Sequence, residues 1–147
     1  MHKNRSWTIV TLGVIFLTAY WLYTPDLTVE AIKTKYANEQ SAFVEIQGMN
    51  VHYRREGHGP TLVLIHGTAA SLHTWDEWTS NLSNDYEIIR MDLPAFGITG
   101  PRPDRDYSMD NYVSFLNEFL VNQNIDSFYL AGNSLGGAIA WNYTLTY

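Results

Sequence analysis

Hydrophobic and polar positions divide the chain into three stretches. Trp7 to Tyr23 is an unbroken uncharged run of about 17 residues, the lower limit for spanning the hydrocarbon core of a bilayer. Trp7 at one end and Trp21 and Tyr23 at the other stand where amphipathic rings favour the two interfaces, and Lys3 and Arg5 ahead of the run predict the amino terminus inside. Residues 1–23 are thus expected to be an N-terminal transmembrane helix. Such an anchor would hold the rest of the chain on the extracytoplasmic side. A cleaved signal peptide is the competing reading and would make the protein secreted, although Leu17-Thr18-Ala19 is a poor cleavage site. A buried globular helix is a third reading, disfavoured because no polar face breaks the run.

Residues 24–41 mix polar and apolar positions, with Leu27, Ala31, Ile32 and Tyr36 loosely at helical spacing, and read as a helical spacer. From Ala42 the period changes to two. Phe43 to Ile46 and Val51 to Glu56 around Gly48 predict a hairpin, which Gly57-His58-Gly59-Pro60 stops. Thr61 to Ile65 is a continuous apolar run, the pattern of a parallel strand covered on both faces. Tyr86–Met91 and Ser127–Ala131 repeat it. Between these strands, Thr74–Leu82 and Met109–Val121 carry apolar residues at intervals of three and four, enough for crossover helices. An antiparallel hairpin followed by alternating strands and helices predicts an open α/β sheet over residues 42–147.

Composition narrows the chemistry. With 15 acidic against 9 basic residues and a net charge of -6, the chain has no basic stripe for nucleic acid. It has no cysteine, which excludes disulfides, thiol catalysis and Cys-ligated zinc. No cofactor and no metal is expected.

The segment Gly132-Asn133-Ser134-Leu135-Gly136 has the G-x-S-x-G spacing that sets a serine on a sharp strand-to-helix turn. Ser134 is the candidate nucleophile, and Gly132 and Gly136 supply the small residues that converge under the bend. In open α/β sheets ligands bind beyond the carboxyl ends of the strands. The other two loops there are His66-Gly67-Thr68 and Asp92-Leu93-Pro94-Ala95-Phe96-Gly97. With this ordered set the sequence, from about Phe43 to Tyr147, resembles the amino-terminal portion of an α/β-hydrolase, in the serine lipase and esterase branch. The resemblance implies acyl-enzyme chemistry on carboxylic esters or lipids. Backbone N-H groups of Leu135 and Thr68 would form the oxyanion hole. His66 and Gly67 would shape their loop, and the Asp92 carboxylate would satisfy backbone N-H groups of its own turn. Ala95 stands where many relatives have glycine. Trp75, Trp78 and Phe96 could form an acyl site or pack in the core, and Asp104, Asp106 and Asp110 read as caps of the following helix.

In this family the order is nucleophile, acid, histidine, whereas His2, His52, His58, His66 and His73 all precede Ser134. His52 and His58 read as solvated hairpin and turn residues. Tyr147 falls inside the helix begun at Leu135, so residues 42–147 are expected to be a truncated domain lacking the triad acid and histidine, with Phe128 to Ala131 as an exposed apolar edge. Expected partners are a small hydrophobic ester or lipid and, through residues 7–23, a membrane. A hydrolase of carbon-carbon bonds in ring-cleavage products remains an alternative, since such enzymes share elbows of the Gly-Asn-Ser type. A non-catalytic remnant or binding module is the other.

Overall fold

Two residues of positive φ, Gln47 at 51° and Gly48 at 74°, turn the chain between the first two strands. Positive φ at both central positions is the requirement of a two-residue hairpin turn whose twist matches its strands. It sets strand β1 (Ala42–Ile46) antiparallel to β2 (Met49–Gly57), with Ile46 opposite Met49. The computed structural model describes residues 3–25 and 27–147, and side chains from Trp7 onward. Helices α1 (Lys3–Leu22) and α2 (Val29–Tyr36) precede β1. After β2 follow β3 (Thr61–Ile65), a 3-10 turn (Leu72–Trp75) running into α3 (Asp76–Leu82), β4 (Glu87–Met91), α4 (Met109–Asn122), β5 (Tyr129–Gly132) and α5 (Leu135–Thr146).

The sheet order is β1-β2-β4-β3-β5. β2 runs antiparallel to β4, while β3 is parallel to both β4 and β5. This is the expected partial α/β-hydrolase sheet, entered through an antiparallel edge. β5 pairs with β3 alone among the described residues, and Tyr129 is exposed on that edge.

Strand alternation gives the sheet two different faces. Val51, Val63, Ile65, Ile89 and Met91 point to one side, where Phe115, Leu116 and Phe119 of α4 and Ile139 of α5 complete the main core. On the other side Leu64 and Ile88 pack with Trp75, but the part formed by β2 and β4 carries His52, Arg54 and Arg90, all buried. The expectation of a solvated His52 is therefore corrected: the ring is fully buried. Its polar alternation faces a covered side of the sheet, not water. Trp78, 55% exposed, is no core residue, and its ring meets the buried Trp75 edge-on at 5.5 Å between centroids.

The expected transmembrane helix is also corrected. Among the described residues no helix is long and apolar enough to cross a membrane. The uncharged part of α1 covers Trp7 to Leu22, about 24 Å at 1.5 Å per residue, short of a hydrocarbon core of about 30 Å. Thr8, Thr11, Gly13 and Thr18 dilute it further. Membrane anchoring, the membrane as a partner and the extracytoplasmic placement derived from the anchor all lose their support. Met1, His2 and Asp26 lie outside the described residues, as do the side chains of Lys3 and Arg5, on which the inside orientation rested. The spacer does not hang free: Lys33 Nζ of α2 lies 4.5 Å from the Phe43 ring centroid.

Candidate active site

The strand-to-helix turn at Ser134 is built from close backbone contacts. Ser134 has φ 52° and ψ -113°, a combination that L residues avoid, and it stands at the head of α5. Asn133 N-H donates to the Ile65 carbonyl at 3.0 Å, tying the turn to the end of β3. A Cβ on Gly132 would lie 2.6 Å from Gly137 N and closer still to the Gly136 carbonyl, and one on Gly136 would lie 2.6 Å from His66 O. Only glycine fits at either position. On the facing loop, a Cβ on Gly67 would meet Ser134 Cβ at 3.2 Å, so the loop after β3 abuts the serine directly.

Thr68 follows Gly67 on the abutting loop, and Leu135 follows Ser134 in the chain. The N-H groups of Leu135 and Thr68 have no hydrogen-bond acceptor among the described residues. Leu135 is the first residue of α5, where N-H groups are left unpaired and the helix dipole favours negative charge. Ser134 and Thr68 are both exposed, so the serine stands on an open surface.

His66 is fully buried and uses both ring nitrogens. Nε2 accepts from Leu93 N-H at 3.0 Å, so the proton must sit on Nδ1, which donates to Gly67 O at 2.7 Å. Burial pushes its pKa below the ordinary histidine value, against smaller upward pulls from the Gly67 bond and Asp92. It is neutral and ties the loops after β3 and β4 together.

Asp92 is the centre of the neighbouring loop. Its side chain is 2% exposed. Oδ1 accepts from Leu72 N-H at 2.8 Å, while Oδ2 accepts from Ile98 N-H at 2.9 Å and from His52 Nδ1 at 2.8 Å. Burial raises its pKa, but these donors outweigh burial and hold it below the usual carboxylate value. His52 Nε2 in turn accepts from Ser41 Oγ at 2.8 Å. The His52 link between β2 and the Asp92 loop escaped the sequence reading, because only the pairing of β2 with β4 brings them together. Ala95 has φ 77°, the left-handed region in which glycine is favoured. Phe96 packs its ring edge-on against His66 at 5.7 Å.

No described histidine is placed to serve Ser134. His66 and His52 are committed as above, and His73, whose Nδ1 donates to Asp76 at 3.0 Å, lines two cavities to which Ser134 does not contribute. His58 sits before β3, at the opposite end of that strand from Ser134, about 13 Å away along the strand rise. No group of three or more metal-ligating side chains comes together among the described residues. A cavity of about 410 Å3 lies beside Asp92, walled by Ile32 and Tyr36 of α2 with Gly97 and Ile98, and Ser134 does not line it.

Comparison with known proteins adds a second line of observation. The chain is 34% identical over 100 residues to a 2-hydroxy-6-oxo-6-(2'-aminophenyl)hexa-2,4-dienoic acid hydrolase of Metapseudomonas resinovorans, covering 65% of this chain and 34% of that protein. It is 38% identical over 92 residues to a pimeloyl-[acyl-carrier protein] methyl ester esterase of Legionella pneumophila (strain Paris), covering 63% and 35%. This chain thus spans about a third of the length of either relative. Among solved structures, a bacterial membrane phospholipase A matches with a TM-score of 0.70 at 24% identity, over 99% of this chain and 46% of that one, a likeness of fold. The sequence profile of the alpha/beta hydrolase fold matches residues 60–147, more than half of the chain, and the chain therefore belongs to the alpha/beta hydrolase family.

Proposed function

We propose that Ser134 is the nucleophile of a hydrolase that cleaves small carboxylic esters through an acyl-enzyme. The observation that carries this reading is the strained Ser134 backbone at the head of α5, with φ 52°, Gly132 packed against Gly136 and Gly136 against Ile65 of β3. Strain of this kind costs about 1–3 kcal/mol and persists where the surroundings enforce it. In this reading the general base takes the Ser134 Oγ proton as Oγ attacks the ester carbonyl carbon and passes it to the alkoxide oxygen, which leaves as the alcohol; water then cleaves the acyl-enzyme and restores Ser134. The N-H groups of Leu135 and Thr68 hold the oxyanion, each contributing about 3–4 kcal/mol to the lowered barrier. Gly67 lets the second donor approach, and His66 and Asp92 hold the two loops in register.

The general base is not among the described histidines in this reading: His52 and His66 use both ring nitrogens, His73 faces cavities that Ser134 does not line, and His58 stands at the far end of β3. Residues 42–147 are accordingly proposed as the amino-terminal part of the hydrolase domain, with the histidine and its acid supplied from outside residues 1–147. The esterase relative supports an ester substrate. The ring-cleavage hydrolase relative, together with the Gly-Asn-Ser elbow, supports carbon-carbon hydrolysis as the second reading.

Hydrolysis of p-nitrophenyl butyrate by the natural polypeptide that contains these residues tests the proposal. Ser134→Ala should lower kcat by about 10^4-fold or more. Activity that survives the substitution would overturn the assignment of Ser134. Residues 1–147 alone should show no turnover above that of Ser134→Ala, and robust serine-dependent turnover would overturn the external base.

A further inference from the structure

The polar part of the sheet, where β2 meets β4, is covered by α3 and the end of α2. Between them lies a cavity of about 760 Å3, whose wall includes Lys35, Arg54, Glu56, His73, Asp76, Thr79 and Arg90. It is separate from Ser134, which follows β5 at the far side of the sheet.

Arg54 is 4% exposed, and its Nε and Nη2 have no hydrogen-bond partner. These two atoms form one edge of the guanidinium, with parallel N-H bonds. Its remaining nitrogen, Nη1, lies 3.9 Å from Asp76 Oδ1, too far for a hydrogen bond. Nor are the carboxylates on the wall free to answer Arg54. Glu56 Oε2 accepts from Arg90 Nε at 2.9 Å, and Asp76 accepts from Arg90 Nη1 and from His73 Nδ1. Three cationic side chains thus face two carboxylates that are already engaged. Thr79 Oγ1 and His73 Nε2 are also buried without partners. Buried polar groups are satisfied in the great majority of cases, so four unanswered atoms on one cavity wall call for a ligand.

We propose that this cavity is an anion subsite that takes a phosphoryl group. The free edge of Arg54 matches two oxygens of an oxyanion in the side-by-side geometry that makes arginine the preferred partner of phosphate. Thr79 Oγ donates to a third oxygen. His73, whose Nδ1 proton points to Asp76, accepts at Nε2 from the hydroxyl of a monoprotonated phosphate. A planar carboxylate would satisfy Arg54 and leave Thr79 and His73 unanswered. Lys35 at the rim adds attraction from outside.

Isothermal titration calorimetry of the full chain with inorganic phosphate, against acetate at constant ionic strength in sodium chloride, tests this. Saturable one-to-one binding of phosphate is expected, with acetate about tenfold weaker. Arg54→Met should weaken phosphate binding by at least about tenfold, and Thr79→Val by about threefold. If Arg54→Met does not fold, Thr79→Val decides. Absence of saturable phosphate heat, acetate binding as tightly as phosphate, or an affinity unchanged in the variants would overturn the proposal.

Discussion

Replacing Asp92 by asparagine isolates the charge at the centre of the loop beside the elbow. The carboxylate answers three donors, Leu72 N-H, Ile98 N-H and His52 Nδ1, at 2.8 to 2.9 Å. An amide of the same shape keeps one acceptor oxygen. Turned toward Ile98 and His52, it sets its NH2 against the Leu72 N-H, so one bond to a charged acceptor is lost and a buried donor is left unpaired. A bond to a charged group contributes about 1.5–3 kcal/mol, and an unpaired buried donor costs about 1–3 kcal/mol. The opposing term is relief from burying a carboxylate. Its sign can be read from the lowered pKa: the folded protein favours ionised over neutral Asp92 in spite of burial. Asp92→Asn should therefore destabilise by about 2–4 kcal/mol at pH 7, measured by equilibrium unfolding in urea followed by circular dichroism at 222 nm. pH provides a control. Because the folded pKa lies below the unfolded one, this stability is present in full above about pH 4 and is lost as pH falls through the folded pKa. The gap between wild type and variant should close in that acid range. A variant within about 0.5 kcal/mol of wild type at pH 7, or a gap that widens toward acid, would refute the reasoning.

Two further substitutions probe the loops. Ala95→Gly should stabilise by about 0.5–1 kcal/mol, because release of a left-handed alanine, worth about 1–2 kcal/mol, outweighs about 0.4–1 kcal/mol of added freedom in the unfolded chain; a lowered melting temperature would contradict this. Gly136→Ala should cost about 3 kcal/mol or more, since the added methyl group meets the backbone oxygens of Ile65 and His66 in a buried strand that has no room to retreat; a loss under about 1 kcal/mol in thermal unfolding would show that the contact yields.

Where the sequence was legible, the deciding information was local. Thr61 to Ile65 was readable as a buried parallel strand because the four consecutive apolar residues after Thr61 have no solvent face to offer, and the observed β3 has the same bounds. The strand-to-helix turn around Ser134 followed from glycine spacing, a backbone requirement carried by the residues themselves. What failed needed a neighbour. His52 alternates with Arg54 and Glu56 like an exposed strand, and only distant residues, Asp92 and Ser41, determine that its ring is buried. Trp75 and Trp78 lie one helical turn apart with the same chemistry, yet only Trp75 meets the sheet. The run over residues 7–23 stood at the lower length limit for spanning, and the helix closes at Leu22, one residue short of it.

The two-faced character of β2 also bears on how the sheet finds its alignment. Tyr53 stands opposite Met91 and Arg54 opposite Arg90. A slip of β2 by one residue would exchange its faces and carry Arg54 and Glu56 in among Phe115, Leu116 and Phe119, while Tyr53 left its edge-on contact with Phe119. In an all-apolar pairing such a slip would cost little more than imperfect packing. Here it would strand charges in hydrocarbon, so the buried arginines penalise every misaligned pairing of β2 with β4 and hold the loops around Ser134 in one register.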